Sequence, residues 1–134
     1  MKKVILTVSI MVVFIGSVLA QESPTTPRAA HVQITQGPEI ALAGGYLTVV
    51  RWTVNNPGGA PVHYGVVHYG TDPKDLSQTA KNPLRLNPSH SSTVFRVNLY
   101  DLPAKTTFYY KVDSTDSSGK SDGVISPVKK FTTQ

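Results

Sequence analysis

Apolar and polar residues alternate along most of this chain at the two-residue period of strands with one face buried. The pattern is sharpest over residues 106–114, where Phe108, Tyr110 and Val112 interleave with Tyr109, Lys111 and Asp113. A second run, residues 46–55, places Thr48, Val50, Trp52 and Val54 on one side and Leu47, Val49, Arg51 and Thr53 on the other. A tryptophan flanked by valines at this period belongs to a core rather than to a ligand platform. Further strands are predicted over residues 31–36, 62–69, 93–99 and 124–133, the first stopped by Gly37-Pro38 and the last interrupted by Pro127. Residues 74–92 are hardest to place. Leu76, Ala80, Leu84 and Leu86 offer apolar anchors, while Pro83 and Pro88 oppose long regular structure.

Turn signals punctuate these runs: Gly44-Gly45, the Asn55–Pro61 stretch, Gly70-Thr71-Asp72-Pro73 and the polar residues 115–123. Leu99-Tyr100-Asp101-Leu102 reads as a corner carrying the chain from one sheet to the other. About seven strands and no helical period beyond residue 20 predict an all-β fold, an immunoglobulin-like antiparallel sandwich.

The first 20 residues follow another grammar. Lys2 and Lys3 precede an apolar run from Val4 to Gly16, and Val18-Leu19-Ala20 sets tolerated residues at a cleavage site before Gln21. This is the pattern of a secretory signal peptide. The alternative is a retained anchor, since residues 4–20 approach the lower limit of a spanning helix, about 17 residues. Residues 21–30, polar and proline-containing, read as a flexible spacer, leaving residues 31–134 for one domain. The chain is thus expected to be secreted, periplasmic or at the cell surface, without membrane insertion once the signal is cut. It has no cysteine, so neither a disulfide nor a lipid-anchoring thiol is available. The formal charge of +5 falls to +3 without Lys2 and Lys3, and the bases are scattered apart from Lys129-Lys130. That is not a nucleic-acid footprint.

Trp52 in the second strand, and Leu99 and Leu102 ahead of the sixth, resemble a fibronectin type III domain. Within that superfamily the chain is similar to the N-terminal domain of purple acid phosphatases. The likeness is carried by Val67-His68-Tyr69-Gly70-Thr71 leading to Leu76, by residues 102–112, and by Phe131-Thr132-Thr133. It covers essentially all of residues 31–134. The resemblance implies a sandwich that in the enzymes precedes a dimetal catalytic domain holding all the metal ligands; none of those ligands maps onto this sequence. It also implies a tyrosine six residues after the corner leucine. Phe108 stands there, so the ring can fill the core but the hydroxyl's backbone hydrogen bond is absent.

Candidate chemistry is sparse. His63 and His68 sit five apart on one strand and project to opposite faces, and His31 and His90 lie at the domain entrance and in a loop. Without cysteine or a carboxylate–histidine motif, no metal or other cofactor is expected. Asp113, Asp116 and Asp122 border a Ser- and Gly-rich turn that lacks the spacing of a calcium loop and reads as a solvated hairpin. No Gly-x-Ser-x-Gly elbow or phosphate-binding glycine loop occurs, and catalysis is not expected. The remaining candidate is a surface. With Val67 and Tyr69 inward on the third strand, Tyr64, Val66 and His68 face out; with Phe108, Tyr110 and Val112 inward on the sixth, Tyr109 and Lys111 face out. In an immunoglobulin-like sandwich these strands are neighbours, so the five residues would form one patch for a protein or a carbohydrate at the cell surface. The alternative is an ordinary sheet face stabilised by cross-strand pairs.

The expected function is therefore an exported, stand-alone binding module without catalytic activity. Its alternative is an accessory or remnant N-terminal domain of a purple acid phosphatase-like enzyme acting with a separate catalytic chain. A structural envelope spacer is a third reading.

Overall fold

A computed structural model describes residues 26–134. The predicted signal peptide, residues 1–20, and residues 21–25 of the spacer lie outside the described residues. Seven strands follow in chain order: β1 (Ile34–Ala43), β2 (Leu47–Asn55), β3 (Val62–Gly70), β4 (Gln78–Arg85), β5 (Ser92–Tyr100), β6 (Thr107–Asp116) and β7 (Lys129–Thr132). They form a three-stranded sheet, β1-β2-β5, and a four-stranded sheet, β4-β3-β6-β7, with every neighbouring pair antiparallel. β3 and β6 are adjacent, as the patch requires.

Side-chain alternation decides which residues enter the core. Thr48, Val50, Trp52 and Val54 of β2 are all buried, as are Phe108, Tyr110 and Val112 of β6. Trp52 stacks on Phe95 of β5 with centroids 5.4 Å apart, and Phe108 stacks on Phe131 of β7 at 5.7 Å. Gly65 of β3 makes room for the indole: a Cβ there would come within 3.0 Å of Trp52 Cη2 and 3.1 Å of Phe95 Cδ1. Leu99 and Leu102 are buried at the corner. The corner is pinned from β7's end, where Thr133 Oγ1 donates to the Pro103 carbonyl at 2.5 Å and accepts from the Thr106 amide at 3.0 Å.

Three local expectations need correction. Gly37-Pro38 does not stop the first strand; β1 continues to Ala43 with register shifts on both sides of the pair. Proline is tolerated because β1 is an edge, and Gly37 adopts φ 81°, open to it for lack of a Cβ. Residues 78–85 do form a strand through Pro83, again at an edge. The last strand is shorter than 124–133. Ahead of β7, Ser126 replaces regular pairing: its amide donates to the Val112 carbonyl at 3.0 Å, and its Oγ accepts from the Val112 amide at 2.9 Å.

The described residues also include part of the chain before His31. Residues 26–29 lie along the β2–β3 loop as a strap, with Gly59 N donating to Thr26 O at 2.7 Å and Ala29 N to Pro57 O at 2.8 Å. This part of the predicted spacer is hydrogen-bonded to the sandwich.

Candidate functional site

The β3–β6 register brings the predicted patch together on the outer face of the four-stranded sheet. His68 lies opposite Lys111, Val66 opposite Asp113, Tyr64 opposite Thr115, and Tyr109 between Gly70 of β3 and Lys130 of β7. β4 adds Lys81 beside Val66 and Thr79 beside His68. Lys81 Nζ sits over the Tyr64 ring, 5.5 Å from its centroid, and the Thr79 hydroxyl is 3.3 Å from His68 Nδ1. Tyr64, His68, Tyr109 and Lys111 are partly exposed. Val66 faces outward but is buried, at 7% exposure. It lies on a central strand between Lys81 and Asp113, whose side chains flank it, so it floors the patch rather than offering contact area.

Three lysines and one histidine meet a single acid on this face. Burial raises the Asp113 pKa above its ordinary value, against the opposing hydrogen bonds from Ser121 and Ser114 and the charge of His68. The face thus combines two aromatic rings with ammonium donors, a combination suited to stacking and to meeting anionic groups.

The inner side of the same strands holds what sequence reasoning missed. His63 is 1% exposed, and its Nδ1 lies 2.8 Å from Asp122 Oδ2. The same oxygen accepts from Ser114 Oγ at 2.7 Å, and His63 Nε2 faces the Gly58 carbonyl at 3.1 Å. Serine, histidine and aspartate therefore meet without forming a nucleophilic triad. Ser114 bonds the carboxylate and not the imidazole, and both groups are shut away from solvent. A carboxylate–histidine pair does exist, supplied by residues 59 positions apart and not by any local motif. The only sequence signal was an aspartate within a polar turn. Asp122 is buried beneath that turn.

The rest of the turn matches the solvated hairpin. Asp116 Oδ1 accepts from the Ser118 hydroxyl at 2.6 Å and from the amides of Ser118 and Lys120, and the Ser118 hydroxyl leads in lowering its pKa. Among the described residues no group of three or more His, Asp or Glu is placed to hold a metal ion. His31 and His90 are exposed and take no part in the cluster.

A second exposed surface lies on the opposite sheet. Leu42, Tyr46 and Tyr100 are 50%, 77% and 55% exposed. Leu42 pairs with Val49, and Leu47 with Tyr100, which gathers apolar side chains at one end of β1-β2-β5. Outward-facing Leu47 and Val49 were the sequence signal for it.

The family model for the purple acid phosphatase N-terminal domain matches residues 27–133. No curated protein matches the sequence. Among solved structures, the sensor domain of the anti-sigma factor RsgI4 of Pseudobacteroides cellulosolvens is similar at 12% identity and a TM-score of 0.48, covering 77% of this chain and 87% of that one.

Proposed function

This chain belongs to the purple acid phosphatase N-terminal domain family, and from that premise we propose that it is an exported, non-catalytic binding module of fibronectin type III type. Its contact surface is the outer face of the four-stranded sheet. The observation that carries this reading is the in-register set of Tyr64, His68, Lys111 and Tyr109 across β3 and β6, with Lys81 and Lys130 on the flanking strands. Of the two ligand classes expected from the sequence, a carbohydrate bearing acidic groups fits these side chains best: rings stack on sugar faces while ammonium groups meet carboxylates.

The test is retention on immobilised polygalacturonate against neutral dextran. The wild-type chain should be held by the acidic polymer and released by salt, whereas Tyr64→Ala and Tyr109→Ala should elute early. Equal elution of wild type and both variants would refute the face. The family match supports a second reading, an accessory domain for a separate phosphoesterase chain. Retention of such an enzyme on the immobilised wild-type chain, lost in the tyrosine variants, would favour it.

A further inference from the structure

The buried cluster around His63 plays no part in that binding role, yet its hydrogen bonds define a protonation state. A carboxylate and a backbone carbonyl only accept, and they lie 2.8 Å and 3.1 Å from Nδ1 and Nε2. Both ring nitrogens must therefore donate, and only the imidazolium does so. A neutral ring would turn one lone pair onto an acceptor where the side chain is 1% exposed.

The charged groups around the ring agree with this state. Asp122 comes from the β6–β7 turn, and Asp116 stands opposite His63 on β6. Arg28 of the strap reaches Asp122 Oδ1 at 3.5 Å and Asp116 Oδ2 at 4.0 Å, and β4 contributes uncharged Leu84 at the matching position. Three stretches distant in sequence thus meet around the ring and its counter-ion: the strap, the β2–β3 loop as it runs into β3, and the β6–β7 turn.

We propose that the His63 imidazolium is a latch that ties the β2–β3 loop to the β6–β7 turn, and thereby holds the strap of residues 26–29 onto the sandwich. Loss of the proton breaks the tie and frees the strap. Burial pulls the His63 pKa down, but the hydrogen bond and charge of Asp122, with the carbonyls of Gly58 and Ala60, outweigh it and leave the value above 6.5. The latch is then fully closed below the unfolded value of 6.5 and opens as pH rises through the higher folded value.

The experiment is a pH series on the full chain. It follows the two ring nitrogens of His63 by 15N NMR and the amides of Ala29 and Gly59 by hydrogen exchange, corrected for the intrinsic pH dependence of exchange. The expected result is a ring doubly protonated at pH 6, with protection of both amides falling about tenfold as the ring titrates, the equivalent of one buried hydrogen bond left unmade. His63→Gln should flatten that dependence. A singly protonated ring at pH 6, or protection that stays constant while the ring titrates, would overturn the latch. Both readings come from the wild-type chain, so the outcome stands even where the variant fails to fold.

Discussion

Two unlike regions share the space between the sheets. In one, Trp52, Phe95, Phe108 and Phe131 pack in stacked pairs with valines around them. In the other, His63, Ser114 and Asp122 are as deeply buried, but they are polar and charged. Among the described residues, the one buried side-chain polar atom without a partner is Trp52 Nε1, in the apolar region. Burying an indole of roughly 200 Å², at about 25 cal/mol/Å², gains about 5 kcal/mol. That exceeds the roughly 1–3 kcal/mol that an orphaned donor costs. Area-driven burial therefore tolerates an unmet N–H. A buried ion pair has no such surplus: its desolvation is offset only while every partner is present. The apolar region is held by amount and the polar one by completeness.

The largest expected effect tests the first half of that contrast. Phe95→Ala removes a ring that is 1% exposed and leaves Trp52 without its stacking partner. The loss should be about 3–5 kcal/mol, read from urea unfolding midpoints. A loss under about 1 kcal/mol would mean that the sheets close over the gap. Gly65→Ala probes the same pocket from the other side. Its new methyl meets Trp52, Phe95 and Val97 at 3.0–3.1 Å, all of them buried and unable to retreat, so overpacking should cost about 1–3 kcal/mol. Unchanged stability there would show slack in the core.

Asp122→Asn sharpens the second half. It removes the counter-charge of His63 and leaves an amide to share among Ser114, His63 and Arg28. The expected cost is about 1–3 kcal/mol, and it should depend on pH. Below 6.5 the unfolded histidine is charged, and burying it opposite a neutral amide is penalised. At pH 8 the ring enters the fold neutral and the penalty shrinks. Denaturation of wild type and variant at pH 5.5 and pH 8 measures the difference. A cost equal at both values would remove the charge from the account of this region.

The same contrast explains what was legible beforehand. Apolar burial leaves a period in the sequence, so Trp52, Phe108, Tyr110 and Val112 were placed correctly from alternation alone. The leucine corner was visible because turn chemistry is local. The polar cluster leaves no period: His63, Ser114, Asp122 and Arg28 come from separate stretches, and each looks like an ordinary surface residue in its own context. β1 and β4 were misjudged for a related reason. Proline excludes a central strand but not an edge, and edge position is a property of the whole sheet. Val66 was read correctly for direction but not for exposure, because neighbours on two other strands cover it.

The smallest expected stability effect belongs to the outer face, and its smallness is what makes it informative. Tyr64 and Tyr109 project from the sheet, and neither contributes to the clusters that hold the interior. Replacing either with alanine should change stability by about 0.5 kcal/mol, within the range of surface substitutions. Tyr64→Ala also removes the ring beneath Lys81, a contact worth about 0.5–1 kcal/mol at an exposed site, so it should be the costlier of the two. If both variants keep their unfolding midpoints yet lose retention on the acidic polymer, the rings serve a ligand and not the sheet. If instead Tyr109→Ala, which removes no such contact, loses more than about 1 kcal/mol, the face belongs with the packed regions, held by cross-strand pairing, and the contact surface must be sought on the opposite sheet around Tyr46 and Tyr100.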